Sequence, residues 1–458
     1  MQGLNICVSS QTPLVQFLAR ERTARRSRRG EGPVELEALE QGVDYRFSPG
    51  GVTRMVYPFL RRGLEGGLLR SAHWVALNPH APPLARLHGV ILHHTSLEHR
   101  RLSGYSKTKE SLWGAVHGTG DPRGRDELFW TEDFSEYTYY NRATAERIRE
   151  LDRTNDFDLF YVHDFQQLPT GEMLRTPKFK VFRWHIPFDE RTLPADWKPT
   201  LVRLLNSYDI VVASSRRYLA AIRALGYTGR TELLYPYLDP EEYGQPARPE
   251  IDATCARWGI AAEDDVALVV GRMDPMKGQD QAIRAFERVA QGHPRLKLVL
   301  VGNGSFSGSR GGLGLSKSQL WHRSLERLAA KLGVGPRVIF TGYVDQRGLD
   351  CLYERSRFTL LPSSEEGFGL VAVESWLHRR PTLVSERAGV AELVSASKDE
   401  LLIDPADPAD IARKMKGLLD GGSRAEELGR AGHDWSRQCW IDSALSEESR
   451  LISGAIEA

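Results

Sequence analysis

Apolar and polar positions alternate in two different rhythms along the chain. Short apolar runs bounded by polar or turn residues predict buried strands at His73–Leu77, Leu159–His163, Lys180–Trp184 and Ile210–Ala213. A second series predicts strands at Val266–Val270, Leu296–Val301, Val338–Phe340, Phe358–Leu361 and Thr382–Ser385. Helix-compatible sequence separates them. Val52, Met55, Val56, Phe59 and Leu60 follow helical 0, 3, 4, 7, 8 spacing after Gly50-Gly51, with Pro58 inside as an expected kink. Ala282, Ile283, Phe286, Val289 and Ala290 make one apolar helix face after the strand ending at Val270. Strands alternating with helices imply parallel sheets covered on both faces.

The two series predict an α/β protein of two Rossmann-like domains facing an interdomain cleft. Tyr235-Pro236-Tyr237-Leu238-Asp239-Pro240 reads as the hinge. The expected organisation is an N-terminal arm over 1–41, a first domain over 42–238 and a second over 239–435. A helix within 436–458 is expected to cross back to the first domain. His93 to Trp130 is irregular and reads as a long loop with short helices. Ser305 to Ser318 is Gly/Ser-rich and reads as another loop.

Charge changes this picture only locally. The 458 residues hold 61 Lys and Arg against 60 Asp and Glu, a net charge of +1. That balance argues against a protein that coats nucleic acid. Yet Arg20 to Arg29 contains six arginines, a solvated tail or a place for peripheral membrane or subunit contact. No apolar run approaches the ~20 residues of a spanning helix. Met1 to Arg20 shows no basic start followed by an apolar stretch, so no leader is expected. Cys7, Cys255, Cys351 and Cys439 are scattered, which suits core thiols in a reducing cytoplasm. A homo-oligomer is left open.

Two constellations carry chemistry. Gly271-Arg272-Met273-Asp274-Pro275-Met276-Lys277-Gly278 follows a strand and opens a helix. Arg binds phosphate oxygens bidentately, Lys adds a compact charge, and a helix N-terminus adds aligned N–H donors. That set suits a diphosphate; a surface turn with two solvated bases is the alternative. Glu365-Glu366-Gly367-Phe368-Gly369-Leu370-Val371-Ala372-Val373-Glu374 follows the strand ending at Leu361. Its glycines allow close approach to a ligand. Glu366 falls at the carboxyl edge of the sheet, where open α/β sheets bind ligands. A carboxylate there suits vicinal hydroxyls, against the alternative of a capping and a surface Glu.

Together, G-R-M-D-P-M-K-G and E-E-G-F-G-L-V-A-V-E, about ninety residues apart, resemble the donor-site signature of retaining GT-B glycosyltransferases. The family meant is the glycogen/sucrose/trehalose-synthase superfamily, glycosyltransferase family 4-like. The resemblance covers most of 265–430. It implies that Arg272 and Lys277 neutralise a nucleotide diphosphate, Glu366 contacts the donor sugar and Glu374 holds ribose hydroxyls. Gly367, Phe368, Gly369 and Leu370 would line the same donor site. Ser48-Pro49-Gly50-Gly51-Val52 resembles the Gly-rich turn after the first strand, which implies that Gly50 and Gly51 lie near the donor phosphate or the acceptor. Asp158 to Asp164 resembles the strand that carries the active-site His, here His163.

Tyr161 to Gln166 and Phe182 to Ile186 are most similar to nucleotide-sugar-dependent trehalose synthases (trehalose glycosyltransferring synthases), which have H-D-P-Q and W-R-C-H-I-D runs. Phe165, Trp184 and Pro187 depart from those runs. The departures lie on the acceptor side, where Asp164, Gln166, Arg183 and His185 are the candidates. The resemblance implies hexose transfer from a UDP-, ADP- or GDP-sugar to a small hydroxyl acceptor, with retention. Glucose, giving trehalose, is the best specific acceptor. His163, Arg272, Lys277 and Glu366 would be the catalytic set, with no prosthetic group and no essential metal. Glycerate and lipid-linked acceptors, a sugar phosphorylase, a nucleotide-sugar epimerase and a non-catalytic binding protein are the other readings. Asp156-Phe157-Asp158 spells D-x-D but precedes a buried strand, and reads as turn and cap rather than metal site. His93, His94 and His117 lack diagnostic ligand spacing and read as acceptor-side or exposed.

Overall fold

The apolar runs become two largely parallel sheets, each buried by helices. The computed structural model describes residues 3–18, 32–48, 50–79, 81–117, 128–304 and 313–456. The chain divides into two compact units, Met1–Leu238 with Ala444–Ala458, and Asp239–Ser443.

The first unit holds β1 (Leu4–Ser10), β2 (Val15–Phe17), β3 (Val34–Glu35), β4 (Tyr45–Phe47), β5 (Leu69–Leu77), β6 (Leu84–Leu87), β7 (Val90–Thr95), β8 (Leu159–His163), β9 (Phe179–Trp184), β10 (Ile210–Ala213) and β11 (Arg230–Leu233). Nine of these form one sheet in the order β11-β10-β9-β8-β1-β5-β7-β6-β3, while β2 and β4 pair separately. Only the β6–β7 pairing is antiparallel in that sheet. The order reverses direction between β1 and β8. Loops after those two strands therefore flank the crevice where such sheets bind ligands.

The stretch read as a terminal arm thus begins with a central strand. Its polar residues hid it: Asn5, Ser9 and Ser10 are buried, and each has partners in the fold. Asn5 Oδ1 accepts from Ser71 Oγ at 2.8 Å, and Ser9 Oγ donates to Gln167 Oε1 at 2.5 Å. Arg20 to Arg29 lies outside the described residues. The segment read as an irregular loop after His93 is also different. It completes β7 and then forms one 18-residue helix, His99–Val116. Tyr105, Thr108, Leu112, Ala115 and Val116 bury one helical face, which the polar residues between them obscured.

The second unit holds β12 (Asp265–Val270), β13 (Leu296–Val301), β14 (Val338–Gly342), β15 (Phe358–Leu361), β16 (Thr382–Ser385) and β17 (Leu402–Ile403). They pair in the order β14-β13-β12-β15-β16-β17, all parallel. Counted from β12 this is 3-2-1-4-5-6, the nucleotide-binding Rossmann order, with its switch point between β12 and β15. Residues 305–312 of the expected Gly/Ser loop lie outside the described residues. From Leu313 the chain is already helical, as far as Lys331.

All four cysteines are free and buried. Among the described residues, no helix is long and apolar enough to cross a membrane.

Candidate active site

In the second unit, both signature segments leave strands that flank the switch point. After β12 the chain makes a tight turn. Asp274 Oδ1 accepts from Met276 N at 3.0 Å and caps the 3-10 turn Pro275–Lys277. Gly278 follows at φ +66° and starts the helix Gln279–Ala290. A Cβ on Gly278 would meet the carbonyl oxygen of Pro362 at 2.0 Å. Only glycine lets this turn lie on the segment after β15. Ser364 N donates to Met276 O at 2.9 Å and completes that contact.

The second segment turns at Gly369, φ +106°, into the helix Leu370–Leu377. Both helices present N–H donors at their starts, at the same sheet edge. The two segments then meet through side chains. Lys277 Nζ donates to Glu366 Oε2 at 2.5 Å, and Ser363 Oγ donates to the same oxygen at 3.2 Å. Burial works against the charge on Glu366, yet Lys277, Ser363 and Arg272 together hold its carboxyl below the usual range. Arg272 is more exposed and lies 4.0 Å from Asp274. Gln279 Nε2 donates to the Arg272 carbonyl at 2.6 Å and fixes the backbone there. The result is two cations beside two helix N-termini, with one held carboxylate.

Gly367, Phe368 and Leu370 follow in that turn. Phe368 is buried, and its carbonyl accepts from Val390 N at 2.8 Å. Glu374 lies deeper. Its Oε2 accepts from Tyr353 OH at 2.8 Å and its Oε1 from Tyr243 OH at 3.3 Å. Neither tyrosine stood out in the sequence, since both lie outside the motifs.

In the first unit, β8 ends on buried His163. Its Nδ1 lies 2.9 Å from His185 Nε2, and its ring packs on Tyr161 with centroids 4.4 Å apart. His163 Nε2 is buried and has no hydrogen-bond partner among the described residues. Burial pushes His163 well below the ordinary histidine range, and the nearby Arg183 charge adds to it. His185 is lowered by burial, then by His163 and Arg183. Asp164 follows with φ +68°, a conformation that non-glycine residues adopt rarely. Burial raises its carboxyl to about 7, against bonds from the Phe165 and His185 backbone. Gln166 is half-buried beside it.

Gly50, φ +138°, starts the helix Gly51–Glu65, and Ser48 N donates to Leu14 O at 2.9 Å. That bond ties the glycine turn to the loop between β1 and β2. Pro49 lies outside the described residues.

Arg183 is a correction. It was expected to meet the acceptor, but its side chain is 0% exposed and bonds to Glu448, Leu234 O and Tyr235 O. A guanidinium buried to that depth needs internal partners, and these occupy it. Glu448 itself was missed. The available signal was an acid at helical spacing from Ile441 and Ala444, which are both buried. His93, read as acceptor-side or exposed, is buried and stacked on His73 with centroids 5.2 Å apart. Asp156-Phe157-Asp158 is a turn: Asp156 ends a helix at φ +45°, Phe157 is buried and Asp158 Oδ2 accepts from Asn5 N.

Residues 251–435 match the family model described as glycosyl transferases group 1. The second unit therefore carries a group 1 glycosyl transferase domain, on a chain whose α/β fold is that of GT-B glycosyltransferases. One curated relative is the D-inositol 3-phosphate glycosyltransferase of Acidothermus cellulolyticus, 37% identical over 174 residues, which are 37% of each chain. The chain spans about half the length, or less, of the curated relatives it matches. Among solved structures, the UDP-forming α,α-trehalose-phosphate synthase of Burkholderia xenovorans, in complex with glucose-6-phosphate, is similar. It superposes with TM-score 0.75 at 17% identity, covering 98% of this chain and 100% of that one. The E. coli trehalose-6-phosphate structure bound with UDP-2-fluoro glucose gives TM-score 0.74 at 17% identity, covering 99% of both chains.

Proposed function

We propose that the protein is a retaining glycosyltransferase that moves a hexose from a nucleotide diphosphate sugar to a small hydroxyl acceptor. The observation that carries this reading is the convergence of Arg272, Lys277 and Glu366 at the switch point between β12 and β15. The cations suit the diphosphate, and Glu366 suits the hydroxyls of the donor sugar. Gly367, Phe368, Gly369 and Leu370 shape the turn around it. Glu374 takes the ribose hydroxyls in this reading, with the longer bond to half-buried Tyr243 the one they replace.

The chemical step breaks the bond from the anomeric carbon to the diphosphate. It forms one from that carbon to the acceptor oxygen on the same face. The acceptor proton passes to the departing phosphate oxygen, and a nucleoside diphosphate leaves. Negative charge grows on that diphosphate as the bond breaks. Arg272, Lys277 and the helix N-termini therefore bind the transition state more tightly than the ground state. The neutral His163 hydrogen-bonds the donor sugar through Nε2. Gly50 and Gly51 let backbone approach the donor phosphate.

His163, Asp164, Gln166 and His185 carry no fixed positive charge. That favours a neutral acceptor, with free glucose, giving trehalose, as the first choice. The named relatives act on or bind phosphorylated compounds, so those belong in the test. The experiment incubates the protein with UDP-, ADP- and GDP-glucose and -mannose, against glucose, glucose 6-phosphate, inositol 3-phosphate and glycerate. Mass spectrometry reads the products. A glycoside formed together with nucleoside diphosphate is expected. Donor conversion without acceptor would mark an epimerase, and sugar phosphate from trehalose plus phosphate a phosphorylase; either overturns the reading.

A further inference from the structure

The helix Ile441–Ile456 brings an acid into the core of the first unit. Ile441, Ala444 and Glu448 share its buried stripe, and Glu448 is 1% exposed. A carboxylate at that depth is stable only with partners. Glu448 Oε1 has three: Arg183 Nη1 at 3.0 Å, Tyr161 OH at 3.2 Å and Tyr237 OH at 3.2 Å. Arg183 is locked in turn by the Leu234 and Tyr235 carbonyls at 3.1 and 3.2 Å, and lies over the Tyr237 ring.

These residues stand directly beside His163. Tyr161 and His163 are two apart on β8, so they share one face of the sheet. Arg183 is the register partner of His163 on β9. The Tyr161 ring packs on the His163 ring, and its hydroxyl reaches Glu448. From the other edge, His185 holds Nδ1. The imidazole is thus fixed on two sides, with Nε2 bonded to no described group.

We infer that Glu448 is a positioning residue for His163, acting through Tyr161 and Arg183. It anchors the Tyr161 hydroxyl, which keeps the ring in place against His163. It also balances the guanidinium beside the imidazole, which offsets that charge at Nε2. The catalytic consequence rests on the proposed glycosyl transfer; the placement of His163 does not.

The test compares wild type with Tyr161→Phe, Glu448→Gln and the double variant Arg183→Met/Glu448→Met. Tyr161→Phe keeps the packed ring and removes only the hydroxyl. The double variant removes both charges together, so no lone buried ion is left to unfold the chain. Two readouts are taken on each: histidine-ring NMR, with His163 assigned by His163→Asn, and transfer kinetics. Shifted or broadened His163 signals are expected in every folded variant. In transfer, kcat should fall about tenfold or more, with donor KM within about threefold. Unchanged His163 signals in Tyr161→Phe and in the double variant overturn the inference, whatever their melting temperatures. Wild type that transfers no sugar defeats the proposed function alone, because the NMR comparison still decides the placement.

Discussion

Lys277 Nζ lies 2.5 Å from Glu366 Oε2, although 89 residues separate them in the chain. Both side chains are mostly buried, 19% and 16% exposed. A surface pair would contribute little, but here each charge depends on the other. Lys277→Ala should lower kcat for transfer by about 10²-fold or more, as expected when a donor to developing charge is removed. Steady-state kinetics beside a melting curve checks this. Turnover within a few-fold of wild type, on a folded protein, would remove Lys277 from leaving-group stabilisation.

Glu366→Gln keeps the shape of that side chain and removes its charge. Lys277 then loses its anionic partner while staying mostly buried. Donor kcat/KM should fall about tenfold or more, and stability by ~1–3 kcal/mol. Unchanged donor kinetics would end the role of Glu366 with the sugar.

Gly278 should tolerate no side chain. Alanine there would place Cβ 2.0 Å from the Pro362 carbonyl oxygen, at a positive φ that already disfavours it. The turn must then move off the β15 segment, and Lys277 with it. Gly278→Ala should cost ~2–4 kcal/mol in chemical denaturation and weaken donor use as well. A variant as stable and active as wild type would mean the two turns do not depend on their contact.

Tyr353 OH donates to Glu374 Oε2 at 2.8 Å in the core. Tyr353→Phe leaves that oxygen without this donor, at an expected cost of ~1–3 kcal/mol. Urea denaturation measures it; no loss would show that Glu374 does not depend on this bond.

The pH dependence has a definite sign. His163 and His185 titrate below their ordinary value near 6.5, first because burial disfavours their charged forms. Below about pH 6.5 the unfolded chain therefore binds more protons than the folded one. Stability falls as pH drops, by up to ~1.4 kcal/mol per pH unit for each imidazole. Asp164 acts oppositely: with its carboxyl raised to about 7, its contribution is lost as pH rises towards 7. A His163→Asn/His185→Asn variant should show a shallower acid limb than wild type below pH ~6.5. Identical limbs would contradict neutral imidazoles in the folded state.

How far the sequence could be read depended on where each residue finds its partners. Strands such as Leu159–His163 and Ile210–Ala213 are continuous apolar runs, and the structure has them at those residues. The donor-side turns were legible because Gly, Pro and Asp fix turn geometry locally. Leu4–Ser10 was not, because Asn5 and Ser9 are satisfied by residues as distant as Ser71 and Gln167. Arg183 looked like a binding residue for the same reason. Its partner, Glu448, is 265 residues away, on a helix with no motif. The helix His99–Val116 was obscured by the polar residues between its buried positions.

The central claim is that the turns after β12 and β15 clamp a nucleoside diphosphate. Titrating UDP, ADP and GDP into wild type and Lys277→Ala, followed by the phosphorus NMR signals, tests it most directly. At least one nucleotide should bind wild type saturably with a shifted β-phosphate signal, and Lys277→Ala should weaken that binding about tenfold or more. No binding by any of the three, or equal binding by the variant, would contradict the account.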